Sequence, residues 1–227
     1  MVGLRWCWIP RVFSEGASMI DVRELGALQL DGLREVANIG AGHAATALSQ
    51  LTNRRITVKV PETRIVPIED VPELIGKPDQ VIAAVVMQVF GDLTGRTVQV
   101  FPAPTASRLG AILLGRHHVP FPEGFGELEQ SALKEAGNIL GGAYLNALSE
   151  LLGMLLLTSV PSLAIDMAAA VLTASYLNFG AVEEHVLCID TLFQIDERQE
   201  PVRGHFLLLP DNASLRVILR AMRLEKP

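Results

Sequence analysis

Two stretches of this chain read as copies of one another, and that duplication limits the possible architectures more than any other feature. Residues 30–51, LDGLREVANIGAGHAATALSQL, align with residues 130–151, QSALKEAGNILGGAYLNALSEL, at an offset of 100 residues. Leu33 matches Leu133, Glu35 matches Glu135, Asn38 matches Asn138, Gly42 matches Gly142, and an Ala-Leu-Ser triplet begins at both Ala47 and Ala147. The alignment reaches Pro61 and Pro161 at the same offset. A repeat much longer than a single helix implies one supersecondary unit built twice.

Each copy has the apolar spacing of an amphipathic helix. Leu33, Val36, Ala37, Ala44, Ala47, Leu48 and Leu51 predict the core face of the first, and Leu133, Ala136, Leu140, Ala147, Leu148 and Leu151 that of the second. Runs rich in β-branched residues follow, at residues 56–60, 81–90 and 97–101 in one half and 155–160, 163–172, 186–195 and 205–209 in the other. Short helices at residues 105–114 and 213–222 close the halves, and residues 115–126 read as a loop. Strand runs flanked by helices, without regular βαβ alternation, predict an α+β fold. Its sheet should be mainly antiparallel, with long surface helices and two halves related by a pseudo-twofold axis. No Pro-, Gly- or Ser-rich linker separates the halves, so residues 19–227 are expected to form a single domain, with halves at about 19–120 and 121–227. Residues 1–18, followed by Met19, are expected to be an N-terminal extension that is not native.

Composition excludes several function classes. The 227 residues are 49% hydrophobic, with a net charge of −6 and no basic stripe, which argues against nucleic acid. The apolar runs are too short to cross a membrane, and no signal peptide is legible, so a cytoplasmic location without membrane insertion is expected. Cys7 and Cys188 lack CxxC spacing, and His43, His117, His118, His185 and His205 lack HExxH spacing, so neither a metal site nor a cofactor of the chain's own is expected. Gly40, Gly42, Gly141 and Gly142 fall inside helices, where close packing or the close approach of a partner explains them better than a phosphate-cradling loop does.

The informative residues lie on the polar side of the repeated helix. Asp31, Glu35 and Asn38 stand at i, i+4 and i+7, a narrow stripe on a helix of 3.6 residues per turn, and Ser131, Glu135 and Asn138 repeat it. A capping box would need its acidic residue where Arg34 and Lys134 stand, so helix capping does not explain the stripe. A duplicated backbone need not keep exposed polar side chains, yet both copies keep Glu and Asn.

The pattern D/S, three residues, E, two residues, N, twenty-two residues, P resembles the signature of the CheC, CheX and FliY phosphatase family, and both copies match it in full. Two motifs in one chain resemble the CheC type more than the one-motif CheX type. With the sequence ending at Pro227, no flagellar-switch domain of the FliY kind is expected to follow. The resemblance implies a chemotaxis phosphatase that accelerates hydrolysis of the aspartyl phosphate of a CheY-type response regulator. It also implies binding of the receptor deamidase CheD, and a non-catalytic adaptor for CheD or the flagellar switch is the alternative.

On this reading Asn38 and Asn138 orient the attacking water, Glu35 and Glu135 dock the regulator through a lysine, and the required Mg2+ belongs to the regulator. A general-base role for the two Glu residues is the competing assignment. Asp31 and Ser131 take supporting roles, and Pro61 and Pro161, expected at the end of the first strand of each half, shape the backbone.

Overall fold

The computed structural model describes residues 27–67, 70–177, 185–195 and 200–221. The expected extension at residues 1–18 lies outside them. The first half runs α1 (Ala27–Thr52), β1 (Ile56–Lys59), β2 (Thr63–Pro67), α2 (Val71–Ile75), β3 (Val81–Gly91), β4 (Gly95–Pro102) and α3 (Ala103–Leu113). The second repeats that order with α4 (Glu127–Leu152), β5 (Leu156–Thr158), β6 (Ser162–Met167), α5 (Ala168–Leu177), β7 (His185–Ile195), β8 (Val202–Pro210) and α6 (Asn212–Ala221).

The eight strands among the described residues join one sheet in which every pairing is antiparallel. β4 and β8 lie side by side at the centre, and the pseudo-twofold axis passes between them near the Gln99–Phe206 pair. The outer strands are exchanged between halves. β1 and β2 pair with β7 of the second half, while β5 and β6 pair with β3 of the first. Each half therefore completes the other's sheet.

Each sheet edge is a single strand broken in the middle. β1 and β2 follow one another along β7, β5 and β6 along β3, and Pro61 and Pro161 sit in the two breaks. Each proline thus follows the end of the first strand of its half, the position expected of it. A residue without an N–H is tolerated on an edge at such an interruption.

Helices cover both faces of the sheet. The larger core packs α1, α3, α4 and α6 through Leu33, Leu48, Leu109, Leu140 and Ile218 onto Val85, Phe101, Ile189 and Phe206. The smaller core packs α2 and α5 through Val71, Ile75, Val171 and Leu172 onto Ile82, Val98, Val186 and Leu207. Strands buried on both sides lose polar alternation, which is why β3 and β8 read as nearly continuous apolar runs.

The sequence predicts one strand over residues 163–172, but β6 ends at Met167 and the Ala-rich stretch from Ala168 is helical. Alanine's helix propensity decides an apolar run whose length alone is ambiguous. Leu51 and Leu151, assigned to the core, are 56% and 52% exposed, because each lies in the last turn of its helix, where the chain leaves for the sheet. β2 and α2 carry no clear sequence signal, because TRIVP and VPELI are short segments with half-buried or mixed patterns.

Candidate functional site on the paired helices

α1 and α4 lie against each other on the larger core. Gly40 of α1 meets Tyr144 of α4 so closely that an added Cβ would stand 2.5 Å from the ring and 2.9 Å from the Tyr144 Cα. Leu33 and Ala37 share a small apolar void with Leu148 and Tyr144, so the helices run antiparallel. Tyr144 anchors the crossing: its ring tilts against Phe206 at 4.7 Å, and its hydroxyl reaches Thr191 Oγ1 at 3.3 Å. Burial pushes that phenol up to about 12, so it stays protonated.

Both helices end in the same way. The Ser49 hydroxyl donates to the Ala45 and Ile56 carbonyls and accepts the Ile56 N–H at 3.0 Å, and the Ser149 hydroxyl donates to the Met154 carbonyl. Asn53 and Gly153 follow in left-handed conformations, with φ of 52° and 64°. Asn and Gly are the residues that reach this region at least cost, which makes a firm helix stop in each half. The two serines, which continue the polar stripe along each helix, are thereby spent on the turn into the sheet.

On the outer surface Asp31, Glu35 and Asn38 are all exposed. On α4, Ser131 and Glu135 are exposed and Asn138 is half-buried. Among the described residues, no side-chain hydrogen bond or ion pair engages Glu35, Asn38, Glu135 or Asn138. The glycines divide by role. Gly40 and Gly141 are packing contacts, the latter against Met87 and Gln99, whereas Gly42 and Gly142 have no atom within 4 Å of where a side chain would begin. Each Glu–Asn pair thus adjoins an open, side-chain-free patch one turn further along its helix. The antiparallel pairing sets the two Asn residues roughly 10 Å apart along the helix axes, from the rise per residue.

The structure also assembles a group that linear spacing does not reveal. Cys188, Asp190 and His205, from neighbouring strands β7 and β8, bring potential ligand atoms within 4.8 Å of one another, all buried. His205 Nδ1 lies 2.9 Å from Asp190 Oδ1, and Arg64 and Arg203 stand 3.6 and 3.8 Å from Asp190 Oδ2. Burial, with the nearby Asp190 charge adding to it, pushes the Cys188 thiol up to about 12. Two guanidiniums and a protonated thiol suit an internal ion-pair network better than a cation site. No helix among the described residues is long and apolar enough to cross a membrane.

Comparison with known proteins places this geometry. The profile of the CheC-like family matches residues 28–65 and 128–165, which span both helices and reach past both prolines. The CheY-P phosphatase CheC of Bacillus subtilis is 35% identical over 195 residues, 86% of this chain and 93% of that protein. The flagellar motor switch phosphatase FliY of the same organism is 24% identical over 129 residues, 57% of this chain and 33% of that protein. The crystal structure of Thermotoga maritima FliY superposes with a TM-score of 0.72 at 22% identity, covering 89% of this chain and all of that one, so the fold is shared. With 35% identity maintained across 93% of a relative, and both repeats inside the matched profile, the chain belongs to the CheC-like family.

Proposed function

We propose that this protein is a CheY-P phosphatase whose two repeated helices each present one catalytic stripe. The observation that carries the reading is the duplicated Glu-x-x-Asn pair, exposed on both helices at Glu35 and Glu135 and placed beside the open glycines Gly42 and Gly142.

The substrate is the aspartyl phosphate of a CheY-type regulator, which brings its own divalent cation. Hydrolysis needs a water in line with the scissile P–O bond. A carboxamide suits the task because its oxygen accepts a hydrogen bond from the water while its NH2 donates to a phosphoryl oxygen. The water oxygen then bonds to phosphorus, the acyl oxygen leaves as the regulator's carboxylate, and the water's proton passes to solvent or phosphate. Asn38 and Asn138 supply orientation in this scheme and neither gain nor lose a proton.

Glu35 and Glu135 lie three residues before the amides, on the same helix face and about 5–6 Å away by helical geometry. A carboxylate so close to a phosphoryl group would repel it unless paired, so these residues are assigned to a cation on the docked regulator. Asp31 and Ser131 differ in chemistry at equivalent positions, which fits a peripheral contact. The scheme calls on no cofactor bound to this chain.

The test is phosphate release from the phosphorylated regulator with wild type and with the Asn38→Ala, Asn138→Ala double variant. Loss of about a hundredfold or more of the acceleration is expected, on the scale of other preorganised hydrogen-bond donors. Equal rates would leave the adaptor reading, with CheD or the flagellar switch as partner.

A further inference from the structure

Each Asn of the two stripes has a charged neighbour on either side. A helix advances about 100° per residue, so Glu35 lies about 60° to one side of Asn38 and Arg34 about 40° to the other, both about one turn nearer the N-terminus. On α4, Glu135 and Lys134 flank Asn138 in the same way. Helical side chains lean toward the N-terminus, so each carboxamide projects over the turn that carries the anion and the cation.

Retention of the cation is local. Around the two Asn residues Ile39 matches Ile139 and Gly42 matches Gly142, whereas other polar positions of the helices have changed in kind: Asp31 aligns with Ser131, His43 with Ala143 and Gln50 with Glu150. Arg34 is exposed and Lys134 half-buried. Among the described residues, no side-chain hydrogen bond or ion pair engages either of them. An i,i+3 pair with Asp31 does not account for the charge, because α4 has Ser131 there and keeps the cation. Of the positions three and four residues from the cation, only the Asn is the same polar residue in both copies.

We propose that Arg34 and Lys134 are further catalytic residues, each giving its positive charge to a phosphoryl oxygen of the docked regulator as the transition state forms. The role presupposes the phosphatase reading. Negative charge in that transition state spreads over the equatorial oxygens around phosphorus. The Asn holds the water on the axis opposite the leaving acyl oxygen, and a long cationic side chain rooted about 6 Å away reaches an equatorial oxygen beside it. Glu35 or Glu135 stands on the other side of the Asn, where it meets the cation of the regulator and stays off the phosphoryl group. The bonds made and broken are those of the hydrolysis above, to which Arg34 or Lys134 adds charge alone. Arginine and lysine can exchange in such a role, since a point charge needs no bidentate fork.

The experiment measures phosphate release from the phosphorylated regulator with the full chain carrying Asn138→Ala, so that only the α1 stripe acts. In that background Arg34→Gln should lower kcat about tenfold with KM within about twofold, a modest size because the cation is in contact with water. Arg34→Lys keeps the charge and should hold kcat within about threefold of the background. His43→Ala, which installs the residue α4 already has, should change neither constant. Thermal melts report folding, and Lys134→Gln with Lys134→Arg in an Asn38→Ala chain repeats the comparison on α4. Adding Asn38→Ala to the Asn138→Ala chain should abolish the acceleration, and a full rate there would remove the phosphatase reading itself. With that control as expected, an unchanged kcat in Arg34→Gln, a loss confined to KM, or an Arg34→Lys as slow as Arg34→Gln would overturn the role of the cation and leave the phosphatase reading standing.

Discussion

α1 and α4 share one sequence pattern but are seated on the sheet differently. Where α1 carries Ala37 and Ala41, α4 carries Gly137 and Gly141, and Cβ atoms there would stand 2.4 Å from Gln99 Oε1 and 2.2 Å from Met87 Cε. α4 therefore lies closer to the sheet over β3 and β4. It is also braced by α3, whose Gly110 packs so closely that an added Cβ would stand 3.0 Å from the Glu129 carbonyl oxygen. Asn138 is consequently half-buried while Asn38 is exposed. Duplication preserved the outward Glu–Asn geometry while the supporting contacts diverged beneath it, as they would if the stripe is what selection maintained.

The largest structural effect should come from the crossing itself. Gly40→Ala forces a methyl against the Tyr144 backbone, which cannot yield as a flexible side chain could, so the helices must separate. Urea unfolding should show a loss of about 1–3 kcal/mol. An unchanged midpoint would break the claim that Gly40 sets the spacing of the pair.

Burial lowers the His205 imidazole below its ordinary value of 6.5, against the pull of Asp190 and together with Arg203 and Arg64. The unfolded chain then binds the proton first, so this contribution to stability is present above about pH 6.5 and is lost as the pH falls through the folded value. The first half has Val86 and Val98 at these places, so the double variant Asp190→Val, His205→Val should lose less stability on acidification than wild type does. Thermal melts across that range decide it, and parallel curves would place the acid sensitivity elsewhere.

The smallest effect is expected at Gly42, where a side chain meets no atom within 4 Å. Gly42→Ala should raise stability by about 0.5–1 kcal/mol through helix propensity alone. A loss instead would show that the patch beside Asn38 is not open.

What was legible in the sequence follows from local physics. The long helices and their outward stripe were readable because one face is apolar at helical spacing and the repeat supplies a second reading of each position. Exchange of the outer strands between halves was not, since a run such as ITVK states that it pairs but not with which partner. The packing glycines Gly40 and Gly141 could not be told from the open Gly42 and Gly142, because the distinction depends on what lies across the interface. The Asp190–His205 pair was hidden for a similar reason, as its members come from adjacent strands and meet only through register.

In the proposed function, two equivalent carboxamides each orient water on a partner's acyl phosphate. This is tested most directly by kcat and KM for phosphate release with Asn38→Ala, Asn138→Ala and the double variant. Each single substitution should lower kcat in part with KM nearly unchanged, and the double should remove the remainder. Single variants that both keep full kcat, or a double variant that changes only KM, would contradict the account.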